Sequence, residues 1–243
     1  MHQRISQGQH CFQVMAGGQP LAVVLQTPQG WPEVPCVVLC HGLLSSMESP
    51  KFKALAEALN QEGLAALLLD FRGCGKSGGS LKESTVSARV EDLSTATRFL
   101  AQSLEHKGPL GLMGSSMGGF VALLYAGMGK AVAAISVWAA PFDPLELEDL
   151  RTHPQTAQLG NSFFQDLRSH DLSKIKGKIK NLLVIHGEKD ELIPISHAKR
   201  IYQLGCAPRQ MYLIAQADHR FTHPAHRQEA ISLTVKWFLR HMR

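Results

Sequence analysis

The sequence has no long hydrophobic run and few cysteines. No segment approaches the about 18 uninterrupted apolar residues that span a bilayer. Residues 1–10 also lack the apolar core of roughly 7–15 residues that a secretory signal needs. The five cysteines are odd in number and include no Cys-x-x-Cys pair, which argues against a disulfide framework and a structural zinc site. We therefore expect neither export nor membrane insertion, and a cytoplasmic location.

A large excess of charge of one sign is also lacking. The 25 Lys and Arg residues exceed the 20 Asp and Glu residues by only five, and the basic residues are scattered. Such an excess permits anionic partners but does not indicate nucleic-acid binding. The 243 residues, 44% of them hydrophobic, suffice for one core and are too few for two ordinary domains. We expect one domain over residues 1–243, and the sequence is compatible with a homodimer.

Short apolar runs alternate with longer segments of helical periodicity. Runs rich in Val, Leu and Ala predict strands that are buried on both faces, at 21–26, 36–41, 64–70, 110–113, 131–138, 182–186 and 210–214. The periodic segments predict helices at 49–63, 87–103, 117–127, 196–204 and 226–242. Ser49 is a predicted cap, with Pro50 at the first helical position. This alternation predicts an α/β fold with a mostly parallel sheet and helices on both faces.

Residues 141–180 interrupt the alternation. The segment is polar, contains Pro141, Pro144 and Pro154, and shows no strand pattern. Ligands of open α/β sheets bind outside the carboxyl ends of the strands, where such an insertion can cover them. We predict a small lid, and the alternative is a surface excursion without a role.

Two serines lie in a Gly-x-Ser-x-Gly pattern, which is typical of a nucleophile elbow. Ser116 directly follows the predicted strand 110–113 and directly precedes the predicted helix 117–127. Ser77 lies well past a strand and is followed by more glycine. A nucleophilic serine needs a sharp strand-to-helix turn with positive φ and small neighbours. Ser116 is therefore the predicted nucleophile, and Ser77 is a predicted loop residue.

A serine nucleophile needs a base and a third group that orients the base. In this kind of fold the expected chain order is serine, acid, histidine. After Ser116, the predicted strand 182–186 leads to Asp190, and the strand 210–214 leads to His219. We predict Asp190 as the acid and His219 as the base.

Other acidic residues near these strand ends are alternatives. Glu188 and Glu191 flank Asp190, which could instead merely cap the following helix. Asp218 is less suitable, because a carboxylate cannot easily reach the far ring nitrogen of its own neighbour, His219. These alternatives stay open at the level of the sequence.

Acyl transfer also needs hydrogen-bond donors for the developing oxyanion. The N–H of Met117, at the start of the helix after Ser116, is one predicted donor. The second is expected from the loop after the strand 36–41, and Leu43 N–H is the candidate. His41 is predicted to tie this loop down by hydrogen bonds, with a second base as the alternative.

Five motifs follow the predicted strands: His41-Gly42-Leu43, Asp70-Phe71-Arg72-Gly73-Cys74-Gly75-Lys76-Ser77, Gly114-Ser115-Ser116-Met117-Gly118-Gly119, His186-Gly187-Glu188-Lys189-Asp190-Glu191-Leu192-Ile193-Pro194 and Asp218-His219. Through them the chain resembles the α/β-hydrolase superfamily over nearly its whole length. Within it, the chain is most similar to the serine-aminopeptidase-like group that includes cinnamoyl and feruloyl esterases and monoacylglycerol lipases. The elbow also resembles that of small acyl-thioesterases. The resemblance implies a triad of Ser116, Asp190 and His219, with oxyanion donors Leu43 and Met117.

The chain departs from the group at several positions. Many members have His where this chain has Ser115, and Gly shortly before the catalytic His where this chain has Gln216-Ala217. The insertion is shorter than most lids of the group, which leaves the substrate class open. Because the elbow carries Ser116, the nucleophilic aspartate of epoxide hydrolases and dehalogenases is excluded.

A glycine-rich segment suggests a competing interpretation. Residues 73–78 satisfy Gly-x-Gly-x-x-Gly after a strand, with Glu91 and Asp92 near the distance expected of a dinucleotide-binding site. That fingerprint should open a helix at its last glycine, whereas residues 79–84 intervene here. A dinucleotide site is therefore disfavoured.

We predict a serine esterase that acts on carboxylic esters or thioesters of small to medium acyl groups through an acyl-enzyme. No cofactor or metal is implied, and the expected partner is a small-molecule ester. The first alternative is an aminopeptidase whose Glu146, Glu148 and Asp149 hold a free amine. The second is a non-catalytic binding protein with a hydrolase fold.

Overall fold

An eight-stranded sheet forms the centre of the computed structural model, which describes residues 5–147, 150 and 154–242. Its strands in chain order are β1 Gly8–Ala16, β2 Gln19–Thr27, β3 Cys36–Cys40, β4 Ala65–Leu69, β5 Leu110–Ser115, β6 Ala134–Trp138, β7 Leu182–Gly187 and β8 Arg209–Ile214. The spatial order is β1-β2-β4-β3-β5-β6-β7-β8. From β4 to β8 all pairs are parallel, whereas β1 and β2 are antiparallel to their neighbours. The predicted α/β fold with a mostly parallel sheet is confirmed.

Six α-helices of the described part accompany the sheet: α1 Pro50–Gln61, α2 Val86–Gln102, α3 Met117–Gly127, α4 Asn161–Leu167, α5 Ile195–Leu204 and α6 Pro224–His241. α1 and α6 pack together on one face of the sheet, and α2, α3 and α5 cover the other face. Each face has its own apolar core, because the central strands present Val, Leu and Ile side chains alternately to both sides. Ser49 is the N-cap residue of α1 and Pro50 is its first residue, as predicted, although the Ser49 side chain makes no capping hydrogen bond to a described residue.

The strand β1 has no counterpart among the predicted strands. Its side chains alternate between exposed and partly buried, and polar residues occupy the exposed positions. This is the pattern of an antiparallel edge strand with one solvated face, and it differs from the uninterrupted apolar runs of the centre. A turn at Gly17 and Gly18, both with positive φ, joins β1 to β2. That glycine pair was the available sequence signal for a hairpin.

The opposite edge of the sheet corrects a second expectation. β8 was predicted to be buried on both faces, but Tyr212 and Leu213 are exposed. Because β8 pairs with β7 alone, it lies at the margin of the layers that cover the central strands.

The segment 141–180 contains α4 and short 3-10 turns, and its described part holds no strand. α4 packs on α2, where Ser87 Oγ and N–H donate to the carboxylate of Asp166 at 2.5 and 2.8 Å. In the residues that the structure describes, no helix combines the length and apolar composition needed to cross a membrane.

Candidate active site

The predicted site residues lie at the carboxyl edge of the parallel strands. β3 and β5 are neighbours, so the loop after β3 lies beside the turn after β5. β7 and β8 are also neighbours, so the segments that follow them meet. The strand order therefore brings four loops, distant in sequence, to one place on the sheet.

Ser116 occupies the turn between β5 and α3. Its φ of 55° and ψ of −128° are strained for a residue with a side chain. A hydrogen bond ties the turn to the end of β6, since Ser116 N–H donates to Trp138 O at 2.8 Å. It also requires glycine at position 118, where an added Cβ would lie 2.1 Å from Cys40 O. Close packing of α3 on the strands thus directs the Ser116 hydroxyl out of the sheet edge.

The imidazole of His219 lies between Ser116 and Asp190. His219 Nε2 is 3.1 Å from Ser116 Oγ. On the other side of the ring, Nδ1 is 2.9 and 3.1 Å from the two carboxylate oxygens of Asp190. These distances are those of hydrogen bonds, so the three groups form one continuous chain. The structure brings together the residues predicted as nucleophile, base and acid.

The Asp190 carboxylate is buried and held by its own loop. Oδ1 accepts hydrogen bonds from the N–H groups of Leu192 and Ile193 at 2.9 and 2.8 Å. Burial raises the pKa of Asp190, but the hydrogen bond and charge of His219 and the bond from Ile193 N–H outweigh it and lower the pKa overall. Asp190 is therefore ionised at neutral pH and can stabilise an imidazolium.

The alternative acids contact other groups. Glu188 Oε2 accepts from Gln216 N–H at 3.3 Å, and Glu191 Oε2 accepts from His219 N–H at 3.1 Å. The Asp218 carboxylate accepts from Thr222 N–H at 2.7 Å. None of these three carboxylates reaches the ring of His219 in the described structure. Glu191 instead positions the backbone from which the ring projects.

The two predicted oxyanion donors follow residues that lie close to the serine side chain or carry it: Leu43 follows Gly42, where an added Cβ would lie 3.4 Å from Ser116 Cβ, and Met117 follows Ser116. Neither Leu43 N–H nor Met117 N–H donates a hydrogen bond to any residue that the structure describes. The peptide of Ser116 and Met117 is fixed, since Ser116 O accepts from Gly119 N–H at 2.9 Å. The carbonyl and the N–H of a trans peptide point in opposite directions, so Met117 N–H is directed away from α3. Both predicted oxyanion donors thus remain free to bind an oxygen atom.

The peptide between Gly42 and Leu43 is held by two buried side chains. His41 Nδ1 donates to Gly42 O at 2.7 Å, and Arg89 donates to Gly42 O and Leu43 O at 3.4 and 3.0 Å. Because Gly42 O is held on one side, Leu43 N–H must point to the other. His41 therefore ties the loop down, as predicted. The role of Arg89 was not predicted, because its partners lie 46 and 47 residues away in the sequence.

His41 is unsuited to act as a second base. Its ring is fully buried, and Nε2 accepts a hydrogen bond from Phe71 N–H at 3.0 Å. Burial and the neighbouring Arg89 guanidinium lower the pKa of His41 to about 3. The ring is thus neutral at physiological pH, and both of its nitrogens are used.

The glycine-rich segment 73–78 forms a supporting loop. Ser77 Oγ donates to Asp70 O at 2.6 Å and accepts from Ala22 N–H at 2.8 Å. Ser77 is therefore a loop residue, as predicted. The two acids proposed for a dinucleotide are occupied, because both Glu91 and Asp92 pair with the Arg72 guanidinium.

Lys51 is a further residue at the site that was not predicted. It lies in the first turn of α1, and its ammonium donates to Ser115 Oγ at 2.7 Å. Burial and the charge of Arg220 lower the pKa of Lys51 to about 8, although Asp218 and Asp190 oppose the shift. The sequence offers little signal for this placement, since a lysine near a helix start is normally solvated.

A cavity of about 600 Å³ opens at Ser116. Its apolar walls include Leu43, Leu44, Leu147, Leu150, Leu192 and Ile193. Leu147 and Leu150, together with Thr156, come from the segment 141–180. This volume falls within the range of small-molecule sites.

One of the three acids proposed to hold a free amine, Glu146, lies in the described part of the chain. Glu146 is not among the described lining residues, and it pairs with Arg200 at 2.5 Å and lies 3.8 Å from His197 Nε2. Glu148 and Asp149 lie outside the described residues. The described lining is richer in cations than in acids, which disfavours recognition of an ammonium group.

The sheet order, the serine on a strand-to-helix turn, and the acid and histidine after two later strands define the α/β-hydrolase fold. Within this class, the family model described as serine aminopeptidase, S33, matches residues 32–178. This match spans more than half of the chain, so the protein belongs to that family. The resemblance stated from the motifs is confirmed.

Similar proteins include hydrolases. The chain is 29% identical over 222 residues to YqkD of Bacillus subtilis (strain 168), an uncharacterized protein, covering 85% of this chain and 71% of the relative. It is 26% identical over 218 residues to the mitochondrial palmitoyl-protein thioesterase ABHD10 of Mus musculus, covering 79% and 71%. Est1E from Butyrivibrio proteoclasticus, solved with ferulic acid bound, superposes with a TM-score of 0.83 at 21% identity, covering 95% of this chain and 98% of that one. The chain is thus an α/β hydrolase similar to esterases and a thioesterase.

Proposed function

We propose that the protein is a serine hydrolase that cleaves carboxylic esters or thioesters of small to medium acyl groups. The observation that carries this proposal is the continuous hydrogen-bond chain from Ser116 through His219 to Asp190. The N–H groups of Leu43 and Met117, which donate to no described residue, support the second requirement of acyl transfer. A binding protein would need neither arrangement.

The reaction follows from the positions of these groups. His219 Nε2 takes the proton of Ser116 Oγ as the oxygen attacks the substrate carbonyl. The N–H groups of Leu43 and Met117 stabilise the oxyanion, and Asp190 stabilises the imidazolium. His219 then protonates the leaving alcohol or thiol, which leaves an acyl group on Ser116. Water, deprotonated by His219, completes the turnover.

The cavity supports the proposed size of the acyl group. A volume of about 600 Å³ with leucine and isoleucine walls accommodates an aromatic or medium aliphatic chain. Ferulic acid is bound in the structure of Est1E, and ABHD10 is named for a palmitoyl substrate. We further propose that the segment 141–180 is a lid, supported by the placement of Leu147 and Leu150 in the cavity wall.

The principal test is the variant Ser116→Ala. We expect it to fold like the wild type and to lose nearly all turnover of p-nitrophenyl esters, because the nucleophile of the reaction is removed. Fluorophosphonate labelling followed by peptide mapping should modify Ser116 in the wild type. Ser77→Ala is the matched control and should change turnover little, since the hydrogen bonds of Ser77 Oγ to described residues are to the backbone of Ala22 and Asp70.

The same experiment separates the alternative functions. Faster turnover of aminoacyl arylamides than of esters would favour the aminopeptidase. No turnover of either substrate class by the wild type would favour the binding protein. Equal activity of the wild type and Ser116→Ala would defeat the proposal.

A further inference from the structure

Three cationic side chains line the cavity around Ser116. Lys51 comes from α1, Arg220 follows His219, and Arg227 lies in the first turn of α6. The described lining contains one acidic residue, Glu191, whose Oε2 accepts from His219 N–H at 3.1 Å. The described cavity lining therefore carries a surplus of positive charge, supplied by three different parts of the chain.

A hydrogen bond links the Lys51 ammonium to the turn that carries the nucleophile. The ammonium donates to the hydroxyl of Ser115, the residue immediately before Ser116. An ammonium carries three N–H donors. In the described part of the chain, only the donor that binds Ser115 Oγ has an acceptor. A neutral hydroxyl does not compensate a positive charge, and a half-buried ammonium without a counter-ion is costly.

Arg220 and Arg227, like Lys51, have no ion-pair partner among the described residues. No described carboxylate lies within 4.0 Å of the charged atoms of Lys51, Arg220 or Arg227, whereas Arg72 and Arg200 elsewhere in the molecule are paired. Asp218 and Asp190 act on the Lys51 charge without pairing with it directly, whereas the guanidinium groups of Arg72 and Arg200 each contact a carboxylate. An anionic group of a ligand would supply the missing ion-pair partner for these three cations.

We propose that the substrate is an ester or thioester that also carries a carboxylate, which binds the Lys51 ammonium while Arg220 and Arg227 attract it to the cavity mouth. This inference rests on the proposed function and narrows its substrate class. A carboxylate here forms charge-assisted hydrogen bonds in a partly dry site, where they are strong. The competing role for Lys51 is a positioning residue that holds the elbow through Ser115.

The test compares esters that differ only in a carboxylate and its isosteric carboxamide. In the first arm the group is on the acyl side, in mono-p-nitrophenyl adipate and p-nitrophenyl adipamate. In the second arm it is on the leaving group, in the butyrate esters of p-hydroxyphenylacetic acid and p-hydroxyphenylacetamide. For each pair, kcat/KM is measured, and the ratio of carboxylate to carboxamide defines the preference. The arm that shows it identifies the side on which the anion binds.

We expect a preference of about tenfold for the carboxylate in one arm, the effect of a partly buried charged hydrogen bond. Lys51→Gln retains a donor for Ser115 but removes the charge, so it should abolish most of the preference. The matched control is Lys53→Gln in the same helix, because Lys53 is exposed and pairs with Glu48. It should leave the preference intact. If Lys51→Gln does not fold, the inference is tested by the wild-type ratio and by Arg227→Gln, which should lower that ratio.

The outcomes separate this inference from the proposed function. A ratio at or below one in both arms overturns the inference. A wild-type preference that Lys51→Gln and Arg227→Gln both leave unchanged also overturns the inference. If Lys51→Gln lowers kcat/KM equally for both esters of a pair, Lys51 is a positioning residue and the inference is likewise overturned. In these cases the carboxamide esters are still cleaved through Ser116. If no ester is cleaved, or Ser116→Ala matches the wild type, the proposed function itself has failed.

Discussion

At the scale of single residues, the Asp190 carboxylate shows how a side chain is prepared for one task. Two backbone N–H groups hold one of its oxygens, and His219 Nδ1 contacts both oxygens. His186 lies behind it, with Nε2 3.5 Å from Asp190 Oδ2 and 2.8 Å from Ile193 O. Burial lowers the pKa of His186, although Asp190 opposes the shift, so this ring is neutral. Of these two rings, only that of His219 is left for the carboxylate to stabilise as an imidazolium.

The variant Asp190→Asn tests this assignment. The amide keeps the shape and an oxygen for the backbone donors, but it favours the wrong tautomer of His219. We expect kcat for ester cleavage to fall by about 10⁴, as when a triad acid is replaced by its amide. Asp218→Asn is the matched control, since its carboxylate accepts from Thr222 N–H, and it should lose less than about tenfold. Similar losses in both variants would contradict the assignment of Asp190.

At the scale of elements, the loop after β3 depends on a helix for its shape. Arg89 projects from α2, is fully buried, and donates to the carbonyls of Gly42 and Leu43. Its guanidinium also lies 5.0 Å from the centre of the Phe71 ring. One helix thus fixes the direction of the proposed Leu43 donor without contacting the substrate. Arg89 is a positioning residue in this arrangement.

Replacing Arg89 tests the dependence. In Arg89→Met the carbonyls of Gly42 and Leu43 each lose one donor, so the peptides on both sides of Leu43 are held less firmly and Leu43 N–H is less well directed toward the oxyanion. Loss of a whole oxyanion donor costs about 10²–10³ in kcat, so a loosened donor should cost roughly tenfold or more. KM should change little, and dividing the rate by the amount of enzyme that a fluorophosphonate labels separates positioning from a general loss of folded protein. The control Arg98→Met, on the exposed face of the same helix, should leave both constants near the wild-type values. A rise in KM with unchanged kcat would contradict this role.

At the scale of the whole molecule, buried neutral histidines couple folding to pH. The pKa of His41 is about 3 in the folded protein, against about 6.5 when unfolded. Between these values the unfolded chain binds the additional proton, so acid favours unfolding. Protonation would also break the hydrogen bond from Phe71 N–H to Nε2.

The free energy of unfolding should therefore fall as the pH is lowered from 7 to 5. His41 alone should contribute about 2 kcal/mol to this loss, the linkage of one proton over about 1.5 pH units. Urea denaturation at both pH values measures it. His41→Gln keeps a donor and an acceptor but cannot titrate. The free energy of unfolding of this variant should therefore fall by about 2 kcal/mol less than that of the wild type between pH 7 and 5. An identical pH dependence in wild type and variant would show that His41 is not the linked group.

Local patterns of the sequence were sufficient for the central fold and for the elbow. The strands β3 to β7 are continuous apolar runs, and the glycines around Ser116 occur directly between such a run and a helix. The helix predicted at 117–127 has the bounds observed for α3. β1 was missed because its polar face interrupts the apolar pattern. The burial of β8 was overestimated because the sequence of a single strand does not show whether that strand lies at the edge of the sheet.

The sequence alone determined the central strands and the helices between them, where the sharp turn carries a serine, and which histidine follows the last strand. These features depend on residues adjacent in the chain, whose periodicity and turn chemistry act locally. The tertiary structure decided that Asp190 and not Glu188 or Glu191 contacts His219. It also brought Lys51 to Ser115 and Arg89 to Leu43 O, across 64 and 46 residues. Such contacts follow from the order in which strands pair, which depends on the packing of the whole sheet.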